Sequence, residues 1–204
     1  MQEQEKQTAK GRDLYEWVQS LVGSVLVVVA IFTFVIRMMG VDGHSMLNTL
    51  QHGDRLLVVN SMLYHDYKYG DIVILRKNGV FDDDPIVKRV IAVEGQTVDI
   101  DFAEGIVYVD GAALDEDYVN EPTYKSYLEY GMGLDYPVEV PEGSVFVMGD
   151  NRNESADSRF APVGCVPESQ ISGRVLLIVV PGSQTDKQGN ITGGRVWRRI
   201  GAVA

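Results

Sequence analysis

The sequence has few of the residues on which several common kinds of functional site depend. It contains one cysteine, Cys165, so no disulfide bond can form within the chain, and we expect a small buried apolar side chain there. It contains three histidines, none in the helical spacing that zinc peptidases use, which disfavours a metalloprotease. A glycine-rich phosphate-binding loop is also lacking. The sequence therefore gives no indication of a metal or nucleotide site.

Positive charge is scarce as well. Lysine and arginine number 18 against 29 aspartates and glutamates, which gives a net charge of -11. A chain without a broad basic field is a poor partner for phosphate backbones, so we expect no binding to nucleic acid. Hydrophobic residues make up 45% of the 204 residues and charged residues 23%, a composition typical of one folded domain with appendages.

The longest run without charge covers residues 17–36 (WVQSLVGSVLVVVAIFTFVI). Twenty helical residues at about 1.5 Å each reach about 30 Å, the thickness of the hydrocarbon core of a bilayer. A cleavable signal peptide would be shorter and followed by a small-x-small site, and a buried core helix would carry a polar stripe. We therefore predict an uncleaved transmembrane helix after a short tail at residues 1–16. The basic residues slightly favour a cytoplasmic tail: Lys6, Lys10 and Arg12 precede the span, and Arg37 and Arg55 follow it.

After the span, short β-rich runs alternate with turn residues, which predicts a mainly β domain over residues 38–204. A tight hairpin is expected at Asp110-Gly111, because glycine accepts the positive φ that such turns require. Residues 102–142 are richer in Asp, Glu, Tyr and Gly, so we predict a small inserted subdomain there. The predicted strands are residues 54–60, 71–76, 86–93, 97–101, 106–109, 144–148 and 171–180.

Residues 41–50 (VDGHSMLNTL), called the Ser45 loop below, directly follow the span. Most loop serines only cap or turn the chain, so Ser45 needs a base before it counts as a nucleophile. Lys88 is a candidate, because strand alternation places it on one apolar face with Ile86 and Val90, and burial lowers the pKa of a lysine. The alternative is that the Lys88 ammonium reaches water from a strand edge.

A third segment, residues 149–159 (GDNRNESADSR), is called the 149–159 turn. Together with SMLNTL and the strand that begins KRV, in this order, it resembles the bacterial type I signal peptidases, whose motifs read SMxPTL, KRVxxxxG and GDNRxxSxDSR. GDRLLVVN, YGDIVILR, VNEP and ISGRV extend the resemblance over nearly the whole chain. It implies a signal-peptidase-like β-sheet or barrel with an inserted β subdomain, preceded by one transmembrane helix.

The resemblance also implies an activity, that of a serine endopeptidase needing neither metal nor cofactor. Ser45 matches the nucleophile, Lys88 the general base and Ser155 a serine that orients the lysine amine. The backbone N–H groups of Ser45 and Gly43 are expected at the oxyanion, with Gly43 standing where some relatives carry a serine. Met46 is expected to contact the substrate.

Further implications concern support, partners and place. Asp157 and Arg159 match supporting residues that pair with each other. The substrates would be signal peptides of exported preproteins, cut after small residues as in Ala-x-Ala, on the outer face of the lipid bilayer that holds the anchor.

Two positions need comment, because Asn48 replaces the usual proline and His44 lies beside the nucleophile. We expect a looser loop from Asn48 and no catalytic role for His44.

Two alternatives stay open at this point. A self-cleaving repressor-type Ser-Lys protease has a related β architecture but ordinarily carries a DNA-binding domain, for which 16 residues before the span are too few. A membrane-tethered β module could carry Ser45 and Lys88 without chemistry. A separation of more than about 5 Å between the amine and the hydroxyl would favour the module.

Overall fold

The computed structural model describes residues 2–77, 79–80, 82 and 84–203, with side chains from residue 15 onward. The chain divides into two compact units, Met1–Arg37 and Met38–Ala204. The basic side chains of the predicted tail, Lys6, Lys10 and Arg12, lie outside the described part.

The first unit is a helix, α1 (Gln2–Ala30), which continues into a π-helical turn at Ile31–Val35. Residues Tyr15–Val35 have a mean hydropathy of 2.4, and none of the most apolar stretch is buried against protein. By length and composition this helix can cross a membrane. Ile36, the last residue of the predicted span, begins the first strand.

The other elements are mostly strands. In chain order they are β1 (Ile36–Gly40), β2 (Arg55–Asn60), β3 (Ile72–Leu75), β4 (Ile86–Val93), β5 (Thr97–Asp101), β6 (Ile106–Val109), β7 (Ala112–Ala113), β8 (Val138–Glu139), β9 (Ser144–Met148), β10 (Val166–Pro167), β11 (Ile171–Val180), β12 (Ser183–Thr185), β13 (Ile191–Arg195) and β14 (Gly201–Ala202). Single 3-10 turns occur at Ser61–Leu63, Leu128–Tyr130, Arg152–Glu154, Glu168–Gln170 and Trp197–Arg199. The prediction of a mainly β protein after one apolar helix is confirmed.

The main sheet holds the candidate site. Within the described residues its order is β1-β2-β11-β3-β4-β9-β10, with β14 paired to β11. The long strand β11 runs antiparallel to both β2 and β3, so it joins the two halves of the sheet. Strand β4 pairs with β3 on one side, with Lys88 opposite Val73, and with β9 on the other. This pairing fixes β4 on both edges, and Lys88 is therefore held in the sheet interior.

A second sheet, in the order β7-β6-β5-β8, occupies residues 97–139. The hairpin between β6 and β7 turns at Asp110 and Gly111, whose φ angles are 52° and 78°, as the tight turn requires. The sheet begins at Thr97 and so includes β5, five residues earlier than the composition indicated. The reason is that β5 pairs with β6 along its full length.

The apolar core anchors the Ser45 loop. Met46 and Leu50, both less than 3% exposed, pack into a cluster with side chains of β2, β3 and β11. Burying two such side chains contributes several kcal/mol, at about 1.5 to 3 kcal/mol each. The loop has little regular structure of its own, and these two side chains bind it to the sheet.

Candidate active site

Ser45 and Lys88 lie in contact although 43 residues separate them. Lys88 is 3% exposed, and its Nζ lies 2.7 Å from the Ser45 Oγ and 3.0 Å from the carbonyl oxygen of Val87. The strand alternation along β4 is as expected, since Ile86 and Val90 pack in one apolar cluster and Val87 packs against another. The amine does not reach water from a strand edge. A separation of more than 5 Å, which would favour a binding module, is not observed.

Burial lowers the pKa of Lys88 from 10.5 to about 8. The ammonium form loses its hydration inside the protein, and this loss lowers the pKa. The nearby carboxylates Asp157 and Asp150 attract the ammonium and raise the pKa, but by less than the loss of hydration lowers it. The positive charge of Arg159 adds to the lowering. A substantial fraction of Lys88 is therefore the neutral amine at mildly alkaline pH, and a neutral amine can accept a proton from Ser45.

Backbone hydrogen bonds hold the chain around Ser45. The Leu50 N–H donates to Met46 O at 2.8 Å, and the Asn151 N–H donates to Ser45 O at 3.0 Å. In the described part of the chain, the Ser45 N–H has no hydrogen-bond partner, so it is available to an oxyanion. The Gly43 N–H is placed differently, because it donates to Nδ1 of His52 at 3.3 Å. Of the two N–H groups expected at the oxyanion, that of Gly43 is thus already hydrogen-bonded in this arrangement.

An apolar pocket of about 270 Å³ opens beside the two side chains. The walls come from β1, the Ser45 loop, β2, β3 and the start of β4. The apolar side chains that line it are Met39, Val41, Met46, Leu56, Ile74, Pro85, Ile86 and Val87, with Ser45 and Lys88 among the polar lining residues. Met46, expected to contact substrate, therefore lies in this wall.

The 149–159 turn packs against the Ser45 loop. Its Asp157 and Arg159 are fully buried, and Arg159 donates to both carboxylate oxygens of Asp157, at 2.9 and 2.8 Å. Burial alone would raise the pKa of Asp157, but Arg159 and the N–H of Gly149 hold it below its usual value. The carboxylate therefore stays ionised, and its charge is balanced inside the protein.

Ser155 lies near the Ser45 loop and forms no hydrogen bond to Ser45 or Lys88. Its hydroxyl is buried and has no hydrogen-bond partner among the described residues. A methyl group on Gly149 would lie 2.2 Å from the Ser155 Oγ and 2.5 Å from the Ser45 carbonyl oxygen, so both atoms crowd the same glycine. A hydrogen bond between Ser155 and Lys88 is not formed in this arrangement.

His44, the histidine beside Ser45, is directed elsewhere. Its ring lies against Gly189, where a methyl group would be 3.1 Å from Nδ1. Among the described residues, no three His, Cys, Asp or Glu side chains lie close enough together to share a metal ion.

Several contacts that support the site were not predicted from the sequence. Arg89, next to Lys88, binds both oxygens of Asp150 at 2.8 Å, and Thr49 donates its hydroxyl to the same carboxylate. Asn120, in the connection between β7 and β8 of the second sheet, donates to Leu47 O at 2.8 Å and accepts from the Asn48 side chain. These residues lie in the sequence segments that carry the family resemblance, but no local pattern predicts which distant residue each one contacts.

A serine hydroxyl beside a buried amine of lowered pKa, at the edge of an apolar pocket, suits nucleophilic cleavage of an acyl bond. The comparisons agree with this class. The sequence model described as "Signal peptidase, peptidase S26" matches residues 14–180. Signal peptidase I of Bacillus licheniformis is 35% identical over 188 residues, which cover 90% of this chain and 98% of the relative. A probable signal peptidase I-1 of a Synechocystis strain is 40% identical over 159 residues, 74% of this chain and 75% of the relative.

The chain therefore belongs to the signal peptidase family, peptidase S26, and is a serine endopeptidase. Among solved structures, a signal peptidase I from Enterococcus faecalis is 27% identical with a TM-score of 0.41, and covers 53% of this chain and 96% of its own.

The buried amine predicts a particular effect on stability. Below pH 8 the folded state carries a protonated Lys88, and lowering its pKa from 10.5 to about 8 corresponds to roughly 3 kcal/mol of destabilisation. Between pH 8 and 10.5 the unfolded state binds more protons than the folded state, so the stability of the native protein rises with pH in that window. We expect Lys88→Met to be more stable by up to about 3 kcal/mol at pH 7, with the difference shrinking as pH approaches 10.5.

Denaturant unfolding of both proteins at several pH values measures this effect. Lys68→Met is the matched control, because Lys68 is exposed and its loss should change little. A difference between native protein and Lys88→Met that is the same at pH 7 and pH 10 would contradict a lowered pKa.

Proposed function

We propose that this chain removes N-terminal signal peptides from exported preproteins by a Ser-Lys mechanism. The observation that carries the proposal is the 2.7 Å contact between the Lys88 amine and the Ser45 hydroxyl, with the amine buried and its pKa lowered to about 8. Membership of the family supports the reaction, and the contact supports the two reacting residues.

In the first step the neutral Lys88 amine takes the proton of the Ser45 hydroxyl, while the Ser45 Oγ attacks the carbonyl carbon of the scissile bond. The resulting ammonium then gives its proton to the nitrogen of the departing amine, and an ester of Ser45 remains. In the second half Lys88 takes a proton from a water molecule, whose oxygen attacks the carbonyl carbon of the ester. The Lys88 ammonium then returns this proton to the departing Ser45 Oγ, which regenerates the Ser45 hydroxyl and releases the signal peptide with a free carboxyl end. One residue thus acts in turn as base and acid, which requires a pKa near the working pH.

The negative charge that develops on the carbonyl oxygen needs donors. The free N–H of Ser45 is the donor that the present arrangement supplies. The Gly43 N–H can join it only if its 3.3 Å hydrogen bond to His52 is given up when substrate binds. Since His52 is about half exposed, this exchange would break a hydrogen bond near water and cost little.

The substrate preference follows from the pocket. Its volume of about 270 Å³ and its apolar walls suit small side chains on the acyl side of the cut, as in Ala-x-Ala, with Met46 as one of the contacting residues. Ser45 and Lys88 are in the lining, so a chain seated in the pocket would present its carbonyl carbon to the nucleophile.

We further propose that residues 15–35 anchor the enzyme in the cell membrane as a single span. Anchoring confines the enzyme and its substrates to one thin layer and so raises their effective concentration. The excess of basic residues before the span supports a cytoplasmic N-terminus and a catalytic unit on the outer face.

The reaction is tested by cleavage of a purified preprotein. We expect Ser45→Ala and Lys88→Met each to abolish cleavage while keeping the fold, because each removes a reacting group. The rate of the native enzyme should rise with pH through about 8, as Lys88 loses its proton. A preprotein with a bulky residue directly before the cut serves as the uncleaved control. Near-native cleavage by either variant, or a rate that peaks well below neutrality, would exclude this mechanism.

Ser155 and Asp157 should give different results when each is replaced by alanine. The Ser155 hydroxyl has no partner to lose, so Ser155→Ala should keep its melting temperature. If the hydroxyl orients the Lys88 amine during the reaction, kcat should fall about tenfold to a thousandfold with little change in KM.

Asp157→Ala should lower the melting temperature as well as kcat, because it leaves the Arg159 charge buried without its carboxylate, at about 3 to 5 kcal/mol. Full kcat in Ser155→Ala, or unchanged melting in Asp157→Ala, would refute this division of roles.

Membrane anchoring is tested by deleting residues 1–35. Because Met38–Ala204 is a compact unit by itself, the shortened protein should fold and should no longer sediment with membranes after an alkaline wash. The full chain should remain in the membrane pellet. Equal sedimentation of the two proteins would show that the helix is not the anchor.

A further inference from the structure

The last residues of the chain return to the Ser45 loop. Strand β14 pairs with β11, with Ala202 opposite Leu177, and Val203 packs against the apolar cluster that contains Met46 and Leu50. The part of the chain that matches the family model ends at residue 180, so this C-terminal segment lies beyond it.

One side chain of this segment contacts the end of the Ser45 loop. Arg199 is 17% exposed, and it donates to the two carboxylate oxygens of Asp54 at 2.9 and 2.8 Å. The same guanidinium donates to the carbonyl oxygen of Thr49 at 2.9 Å. A planar guanidinium can satisfy three acceptors at once in a fixed geometry, so the relative positions of Thr49 and Asp54 are set by Arg199.

Asp54 extends this contact to two further segments. Its fully buried carboxylate also accepts from the Gln51 N–H at 2.7 Å and from the Gly182 N–H at 2.6 Å. The backbones approach so closely that a methyl group on Gly182 would lie 2.0 Å from His52 O. Among the described residues, the cation that balances the buried negative charge of Asp54 is Arg199, 145 residues away.

We propose that Arg199 is a positioning residue for the reaction. We also propose that the C-terminal segment, residues 197–203, holds the end of the Ser45 loop in place. The proposal rests on the function proposed above. Arg199 is outside the pocket lining and does not touch the reacting atoms. Through Thr49 O and Asp54 it fixes the last turn of the loop, in which Leu50 N–H bonds to Met46 O, directly after Ser45. Without Arg199, the Ser45 loop would lose the hydrogen bonds at Thr49 O and Asp54 that help to hold Ser45 next to Lys88.

The test compares Arg199→Lys with Arg198→Lys. Arg198 is the adjacent residue, is exposed, and loses the same group in the same segment. Lysine keeps the charge and thus the fold, but a single ammonium cannot span both Asp54 oxygens and Thr49 O. For Arg199→Lys we expect kcat to fall about tenfold to a hundredfold, since a misplacement of about 1 Å has an effect of this size. KM and the pH midpoint near 8 should stay unchanged, because the pocket and Lys88 are untouched. Arg198→Lys should match the native enzyme.

Two further measurements separate positioning from general loss of stability. Hydrogen exchange of the amides of residues 45–51 should be faster in Arg199→Lys and native-like in Arg198→Lys, while exchange in the second sheet should not change. In Arg199→Ala, added guanidinium at millimolar concentration should restore part of kcat, whereas added sodium ions should not.

The outcomes distinguish the two proposals. Cleavage that persists in Ser45→Ala contradicts the proposed function, and amide exchange then still decides whether Arg199 holds the loop. If Ser45→Ala is inactive but Arg199→Lys equals Arg198→Lys in kcat and in exchange, the positioning role is wrong. A fall in kcat with unchanged loop exchange and no rescue by guanidinium would also overturn it.

Discussion

The buried amine of Lys88 is the constraint on which the rest of the site depends. The proposed mechanism requires this amine to lie out of water, so that it loses its proton near pH 8, and to lie within hydrogen-bond reach of Ser45. Two buried carboxylates, Asp157 and Asp150, are near enough to raise its pKa again. Each carboxylate is bonded by its own arginine, so their attraction for the lysine proton is partly cancelled. Of the two arginines, Arg159 also lowers the pKa of Lys88 directly through its own positive charge, without a hydrogen bond to the amine.

Pairs of this kind also replace regular secondary structure around the site. Arg89 with Asp150, Arg152 with Glu116, Arg159 with Asp157 and Arg199 with Asp54 are each bonded through two nitrogens. Buried pairs add little net stability compared with apolar packing, but their geometry is fixed and removal of one partner is costly. In loops without a hydrogen-bond ladder, such pairs supply the directional contacts that a sheet supplies elsewhere.

Local patterns in the sequence predicted the long strands and the hairpin at Asp110 and Gly111, because alternation and positive φ are properties of neighbouring residues. They did not predict short strands such as β10 and β14, whose two residues carry no periodicity and form only through a distant partner. The contact of Ser45 with Lys88 was predicted from motif resemblance, and burial of Lys88 from alternation. The bond from Gly43 to His52 and the bond from Arg199 to Asp54 were not predictable, since no spacing encodes which side chain fills a given gap.

The Ser45 loop shows how distant contacts can replace a local restraint. The loop departs from the family motif at Asn48, where the motif has a proline that would fix one φ angle. Here Asn120, 72 residues away, donates to Leu47 O and accepts from the Asn48 side chain, so the second sheet's connection restrains the same peptide from outside. Asn151 binds the loop at Ser45 O and Arg199 binds it at Thr49 O. A proline would act on the loop even in the unfolded chain, whereas these three contacts exist only after the sheets and the C-terminal segment have assembled. The position of Ser45 is thus a property of the whole folded unit.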